Sequence, residues 1–263
     1  MKTVFSWILI IGFSVLLKAQ HMKINDPSPD VKEVVTVTHF DAGRHTSFNK
    51  FFLSFPAIAD LQPSTFVVKN ETDRPIIGLA FRWILTDAGG NQEPVSSFTH
   101  SYLSYDVAPL IGPQGEMMVA PGSYVPDTAM QGAGFAGTVA TGNTVQKFKR
   151  ASAVAVEIDS VIFTDGQVVG PRSLPLIQEI KDRQLAADLL LRQMNDANAK
   201  GVPPQEAVRQ MALTPSAWGA SVDRQRRMLA RQFGSARNLD SELQALKRLQ
   251  PPLNFHRKDG SPL

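Results

Sequence analysis

The chain has 263 residues, a formal net charge of +3 and no cysteine. Its hydrophobic fraction of 43% and charged fraction of 19% are ordinary for a globular protein with a real core. The absence of cysteine excludes thiol catalysis, iron–sulfur clusters and cysteine-ligated zinc. The small positive charge does not indicate a nucleic-acid partner.

Residues 1–19 have the layout of a secretory signal peptide. Met1-Lys2-Thr3 gives a basic start, a charge-free apolar run of 14 residues extends from Val4 to Leu17, and Lys18-Ala19-Gln20 ends the run. Such a run is shorter than the roughly 20 apolar residues that span a bilayer. We therefore expect an extracytoplasmic protein, periplasmic or secreted, with an uncleaved anchor as the alternative. No later run reaches spanning length, so no transmembrane segment is expected after leader removal.

Residues 20–172 predict an antiparallel β-sandwich domain. Short β-branched runs recur between turn signals, and no helical period separates them. The longest predicted strands cover residues 76–86 and 153–163, and Asp87-Ala88-Gly89-Gly90-Asn91 predicts a hairpin turn after the first. The other predicted strands cover residues 34–38, 65–70, 95–103, 117–120 and 167–169.

After Gly170-Pro171 the hydrophobic period becomes helical, so residues 173–250 predict a helical region. Helices are expected over residues 173–199 and 204–211, with a third opened by Thr214 as N-cap and Pro215, and a short last one capped by Asp240. Residues 251–263 predict a flexible tail. Charge changes at the same boundary: residues 20–172 carry 11 Lys/Arg and 15 Asp/Glu, whereas residues 173–263 carry 14 and 9. The fold class expected is α+β.

The stretch from Val67 to Asn91 resembles the strand–turn–strand core of exported bacterial immunoglobulin-like domains of the FxLYD type. The resemblance covers about 25 of the 263 residues, and Trp83-Ile84-Leu85-Thr86-Asp87 stands where the family has its F-x-L-Y-D string. It implies that Asn70 ends one strand, that residues 81–85 form a core strand and that residues 87–91 form the hairpin. Such domains serve adhesion, scaffolding and binding, so the resemblance implies an architecture and assigns no reaction.

Three candidate metal ligands, His39, Asp41 and His45, lie within seven residues. On a strand, His39 and Asp41 share a face, and a turn could bring His45 to them. Imidazole and carboxylate together suit zinc or another divalent ion. The alternative is a polar strand end with exposed histidines.

A candidate partner-binding face is formed by Arg224, Arg227 and Arg231, which recur at helical spacing with Arg226 beside them. Guanidinium groups so placed suit an acidic protein partner, phosphate or anionic lipid. Trp218 is a further candidate partner-binding residue and is expected with Val222, Leu229 and Phe233 on the opposite, apolar face. A solvated helix face explains the same arginine pattern.

One motif typical of nucleotide-binding proteins and one typical of acyl-transfer enzymes occur without the neighbouring sequence features that those proteins have. Gly132-Ala133-Gly134-Phe135-Ala136-Gly137 matches G-x-G-x-x-G, but no strand precedes it and no helix follows it in the sequence pattern, so it predicts a loop. Ser47-Phe48-Asn49-Lys50 matches S-x-x-K without the partner motifs S-D-N and K-T-G. No complete catalytic constellation is recognised and no cofactor is expected.

These patterns favour an exported non-enzymatic binding or structural protein of the cell envelope. Its partner is expected to be a protein or another envelope component. The alternatives are a secreted hydrolase with an unrecognised acidic site and a metal-binding module.

Overall fold

A computed structural model describes residues 22–54, 56–102, 109–126, 142–215, 217–234 and 253–263. Over these ranges the chain is an α+β protein with two β-sheets, six α-helices and one 3-10 helix. The strands are β1 (Lys23–Ile24), β2 (Val35–His39), β3 (Phe66–Asn70), β4 (Ile76–Thr86), β5 (Gln92–His100), β6 (Glu116–Ala120), β7 (Ser123–Pro126), β8 (Ala153–Phe163) and β9 (Val168–Val169). The helices are α1 (Pro29–Lys32), α2 (Thr46–Ser54), α3 (Gly142–Arg150), α4 (Leu174–Ala199), α5 (Pro204–Leu213) and α6 (Ala220–Gly234), and the 3-10 helix is Pro56–Ser64.

The first sheet has the strand order β1-β8-β4-β5, with β9 also paired to β8, and the second has the order β2-β3-β6-β7. Neighbouring strands are antiparallel except for the short parallel pair of β1 and β8. The sheets share one hydrophobic core, in which the ring of Phe66 on β3 lies 5.7 Å from that of Phe81 and 5.3 Å from that of Trp83, both on β4. Aromatic contacts of this length stabilise the packing of one sheet on the other.

Strand β4 is covered on both faces. Its inner side chains enter the core between the sheets, and on its outer face Ile77 and Ala80 pack with Leu176, Ile177 and Ile180 of α4. This explains why residues 76–86 read as a nearly continuous apolar run rather than an alternating one. The first half of α4 is therefore docked on the first sheet.

The second half of α4 packs with α5 and α6 in a separate apolar cluster. Residues of all three helices contribute to it, among them Leu190, Val208, Leu229 and Phe233, each fully buried. The buried positions of α4 and α6 recur mostly every three or four residues, the spacing that places them on one face of each helix.

Two predictions of local structure are wrong. Thr214 does not begin a helix; it ends α5, where its Oγ1 donates a 2.9 Å hydrogen bond to the carbonyl oxygen of Gln210, and α6 begins only at Ala220. Helices α2 and α3 also occur in the part of the chain that was expected to hold strands alone. Each has nine residues, so its stability comes from packing rather than from a strong local signal.

The end of the chain, expected as a flexible tail, returns to the first sheet. Phe255 is buried with Val168 and Ile180, and the backbone of His256 bridges Gln167 and Pro262. Docking of residues 253–263 follows from Phe255, since burying an aromatic ring stabilises an otherwise polar segment. The leader (residues 1–19), the glycine motif at 132–137 and the short helix expected after Asp240 lie outside the described residues.

The backbone of Gly170 approaches strand β8 closely at Asp159 and Ser160. It has a φ of +107°, and a Cβ there would overlap the carbonyl oxygen of Asp159 and lie 2.9 Å from the Cα of Ser160. We expect Gly170→Ala to lower the free energy of unfolding by about 3 kcal/mol or more, since both strain and overlap oppose folding. Urea denaturation measures the change.

Gly201 is the matched control. Its φ is +74° but a Cβ there would meet no atom within 4 Å. Gly201→Ala therefore carries the backbone strain alone, roughly 1–2 kcal/mol. Equal losses in the two variants would contradict the close approach at Gly170.

Candidate functional site

The structure does not bring the three predicted metal ligands together. His39 and Asp41 are exposed, and the Oδ1 of Asp41 accepts a 2.8 Å hydrogen bond from the backbone N–H of Gly43. His45 instead turns inward, where its ring stacks on Phe40 at 5.8 Å and its Nε2 lies 3.9 Å from a carboxylate oxygen of Glu116. Across the described ranges, no group of three or more His, Cys, Asp or Glu side chains is placed to share an ion.

The predicted arginine face is present on α6. Arg224 and Arg231 are exposed and Arg227 is half-buried, all three on the side of the helix opposite its apolar cluster. Arg224 donates a 3.1 Å hydrogen bond to Glu179 of α4, and the Nε of Arg227 lies 3.0 Å from a carboxylate oxygen of Asp223. The side chains of Glu179 and Asp223 are only 15% and 8% exposed, so these pairs balance part of the positive charge of the face from within the protein.

Trp218 lies in the loop before α6 and not on the helix where the sequence placed it. Its side chain is 56% exposed. It borders a groove of about 470 Å³ together with Lys200 and Val202 after α4, Met211 of α5 and Arg226 of α6. We call this the Trp218 groove. The groove has a mixed lining, with Asp196, Lys200 and Gln210 beside its apolar residues, and an exposed tryptophan at such a cleft is a common anchor for a protein partner.

Arg226 forms the floor of the Trp218 groove, and the sequence analysis did not recognise its role. Its side chain is 2% exposed. Its Nη1 donates a 2.8 Å hydrogen bond to Met211 O, and its Nη2 donates to Thr214 O and, at 3.0 Å, to Asp223 Oδ1. These bonds fix the loop between α5 and α6 and hence the position of the groove. Arg226 lies four residues after Val222 and three before Leu229, and this helical spacing could have indicated that it shares their buried face.

A polar junction holds α6 against α4 and the end of β5. The Nε of Arg183 donates a 3.0 Å hydrogen bond to Tyr102 O, and its Nη1 donates one of 3.0 Å to Gln225 Oε1. Gln225 in turn donates to Glu179. Because these groups are buried or partly buried and hydrogen-bonded, they orient the helices as well as stabilise them.

His100, at the end of β5, faces this junction. Burial, followed by the nearby positive charge of Arg183, lowers the pKa of His100 from its usual 6.5 to about 4, against a smaller opposing effect of the Tyr102 backbone. His100 is therefore neutral at physiological pH.

A second groove, of about 410 Å³, lies between β5 and the start of α4, and the sequence analysis missed it. It is lined by Ala80, Phe98, Asp159, Arg172, Leu174 and Leu176, among others. We call it the Asp159 groove. Burial raises the pKa of Asp159, with Glu157 acting in the same direction and the guanidinium groups of Arg82 and Arg172 against it. Apolar residues of β8 occur at every second position in Val154, Val156 and Ile158, but the next, Val161, comes three positions later. This change in spacing was the signal in the sequence for an irregularity at Asp159.

Among the described helices, none combines the length with the apolar composition that a bilayer span requires. No protein-family model matches this chain, and neither a curated protein sequence nor a solved structure does so.

The pKa of His100 predicts an acid-sensitive stability. Below about pH 6.5 the unfolded chain binds a proton on His100 that the folded chain does not bind until about pH 4. The free energy of unfolding should therefore fall as the pH is lowered through this window, by up to about 1.4 kcal/mol per pH unit from this group. Urea denaturation of the wild type and His100→Gln from pH 7.5 to 4.5 measures the difference.

His100→Gln should show a shallower decline than the wild type, whatever its stability at pH 7.5. His39→Gln is the matched control, because His39 is exposed and its replacement should leave the slope unchanged. Identical slopes for His100→Gln and the wild type would contradict the prediction.

Proposed function

We propose that this chain is an exported, non-enzymatic binding or structural protein of the cell envelope. In this proposal residues 20–172 form an immunoglobulin-like sandwich and the helices that follow form a C-terminal interaction region. The partner is a protein whose docking segment combines an apolar side chain with acidic residues.

The immunoglobulin-like interpretation is supported by local features of the two sheets. Asn70 ends β3 fully buried, where its Nδ2 donates hydrogen bonds of 2.7 Å to Arg74 O and 2.9 Å to Gly112 O. Asp87 closes the hairpin through Oδ1, which accepts hydrogen bonds from the N–H groups of Gly89 and Asn91. A buried tryptophan between the sheets, here Trp83, is also a feature of immunoglobulin domains.

The single observation that carries the binding proposal is the Trp218 groove, which Arg226 of α6 borders. Trp218 supplies an exposed aromatic anchor, and Arg226 and its hydrogen bonds hold the loop that carries it. Arg224, Arg227 and Arg231 add positive charge on the same helix. Together they favour an acidic partner segment with one apolar side chain for the groove.

An envelope location is supported by the leader pattern of residues 1–19 and by the absence of cysteine. The core of two sheets and the docked helices supply stability without disulfides, as an exported protein of this size requires.

The binding proposal predicts that Trp218→Ala weakens capture of the partner. Truncating an exposed aromatic anchor typically costs about 2 kcal/mol or more of binding, about thirtyfold in affinity. Arg231→Glu should weaken the same interaction and make its response to salt shallower, because it replaces an attraction to the acidic partner, which salt screens, with a repulsion. Quantitative pull-down from envelope extract, at two salt concentrations, measures both.

Leu185→Ala and Arg209→Glu are the matched controls, because both side chains are exposed and neither borders the Trp218 groove. They should leave capture unchanged. Deletion of residues 173–263 is a poorer test, since it would uncover the apolar outer face of β4. If Trp218→Ala and Leu185→Ala captured the same components in the same amounts, the helical region would not be the binding element.

The export proposal predicts where the chain accumulates in a bacterial host. The full chain should appear in the periplasm or medium, shortened by about 19 residues because cleavage follows Ala19. A chain lacking residues 2–19 should remain in the cytoplasm. Cell fractionation with mass spectrometry of the N-terminus measures both, and equal cytoplasmic retention of the two chains would refute export.

A further inference from the structure

The Asp159 groove is built around a β-bulge. Pairing of β4 with β8 changes from Ala80 opposite Ser160 to Phe81 opposite Ile158, which leaves Asp159 as the extra residue. Bulges re-aim side chains and are frequent beside binding sites. Gly170 packs directly on the bulge, so the segment that follows it, including Arg172, is held next to Asp159.

Asp159 carries a carboxylate that its surroundings leave poorly satisfied. Its side chain is only 9% exposed, and no hydrogen-bond donor reaches it within the described part of the chain. The nearest cation is Nη1 of Arg172, at 3.6 Å, longer than the 2.7–2.9 Å of a charge-assisted hydrogen bond. A buried charge in this position is costly unless something pairs with it.

The guanidinium of Arg172 stands at the mouth of the groove, with its side chain 52% exposed. The other charges near Asp159 are already matched, because Arg82 is paired with Glu157 across the strands. The groove itself thus offers one carboxylate in its wall and one guanidinium at its rim.

Next to these charges the groove is apolar. Phe98 is 41% exposed and Leu174 is 70% exposed. Ala80 of β4 and Leu176 of α4 also line the groove. Exposed side chains of this size at the rim of a groove gain free energy when a ligand covers them.

We propose that the Asp159 groove binds an apolar α-amino acid, with the ligand's ammonium on Asp159, its carboxylate on Arg172 and its side chain against Phe98 and Leu174. An α-amino acid carries its ammonium and its carboxylate on the same carbon atom, a short separation that suits the neighbouring Asp159 and Arg172. Each ligand charge would complete a charge-assisted hydrogen bond that the free protein lacks. The proposal depends neither on the leader nor on the Trp218 groove.

The test compares L-leucine with two ligands that each lack one charge, 3-methylbutylamine and 4-methylpentanoate. Isothermal titration measures the affinity of the full chain for each. L-leucine should bind at least about tenfold more tightly than either, because only leucine satisfies both Asp159 and Arg172. No binding of any probe, or equal binding of leucine and 4-methylpentanoate, would overturn the proposal.

Two variants assign the contacts. Asp159→Asn should lower the affinity for leucine and for 3-methylbutylamine by about tenfold and leave 4-methylpentanoate unchanged. Arg172→Gln should lower the affinity for leucine and for 4-methylpentanoate and leave the affinity for 3-methylbutylamine unchanged. Asp26→Asn and Arg209→Gln, both exposed and outside the groove, are the controls. Equal effects of Asp159→Asn on all three ligands would also overturn the assignment.

Thermal unfolding confirms that each variant is folded. Should Asp159→Asn fail to fold, methyl NMR of the wild type replaces it. Titration with leucine should shift the methyl signals of Leu174, Leu176 and Ala80, and 4-methylpentanoate at the same concentration should shift them less. Shifts elsewhere without shifts at these three residues would refute the site.

Discussion

The packing of α4 on a strip of small residues connects the two parts of this molecule. Gly78 and Ala80 of β4 face the helix, and a Cβ on Gly78 would lie 3.2 Å from Cδ2 of Leu176. Because these residues lack bulky side chains, Leu176 and Ile180 reach the sheet and both surfaces lose water. The same helix borders the Asp159 groove near Leu174 and the Trp218 groove near Asp196, on the order of 30 Å apart at 1.5 Å per residue.

Some elements could be predicted from the sequence because their signals are local. The bounds of β4 and β8 agree with the predicted residues 76–86 and 153–163, since long β-branched runs with turn residues at their ends leave little ambiguity. Helix α3 was missed because its stability is tertiary: Phe148 packs edge-on against Trp83 at 5.3 Å. The start of α6 was misplaced because Thr214-Pro215 resembles a helix start, whereas Thr214 caps the end of α5.

The candidate sites also combine features that local sequence predicts with features that depend on contacts between distant residues. Helical spacing alone was sufficient to place Arg224, Arg227 and Arg231 on one exposed face of α6. It could not show that Arg224 meets Glu179, a residue 45 positions earlier in the chain. Asp159 was harder still, because a bulge is defined by the pairing of two strands and a single strand shows only a slip in its alternation.

The two buried charges at the grooves differ in how far they are satisfied, and this difference separates structure from binding. Both Nη atoms of Arg226 donate to nearby acceptors and so hold the α5–α6 loop, although its Nε has no hydrogen-bond partner among the described residues. Asp159 is less deeply placed, with its side chain 9% exposed against 2% for Arg226, and its ion pair is with the half-exposed Arg172, 3.6 Å away. A satisfied buried ion fixes a shape, whereas an unsatisfied one retains free energy that a ligand can recover. Arg226 therefore belongs to the scaffold of its groove, and Asp159 to the recognition surface of the other.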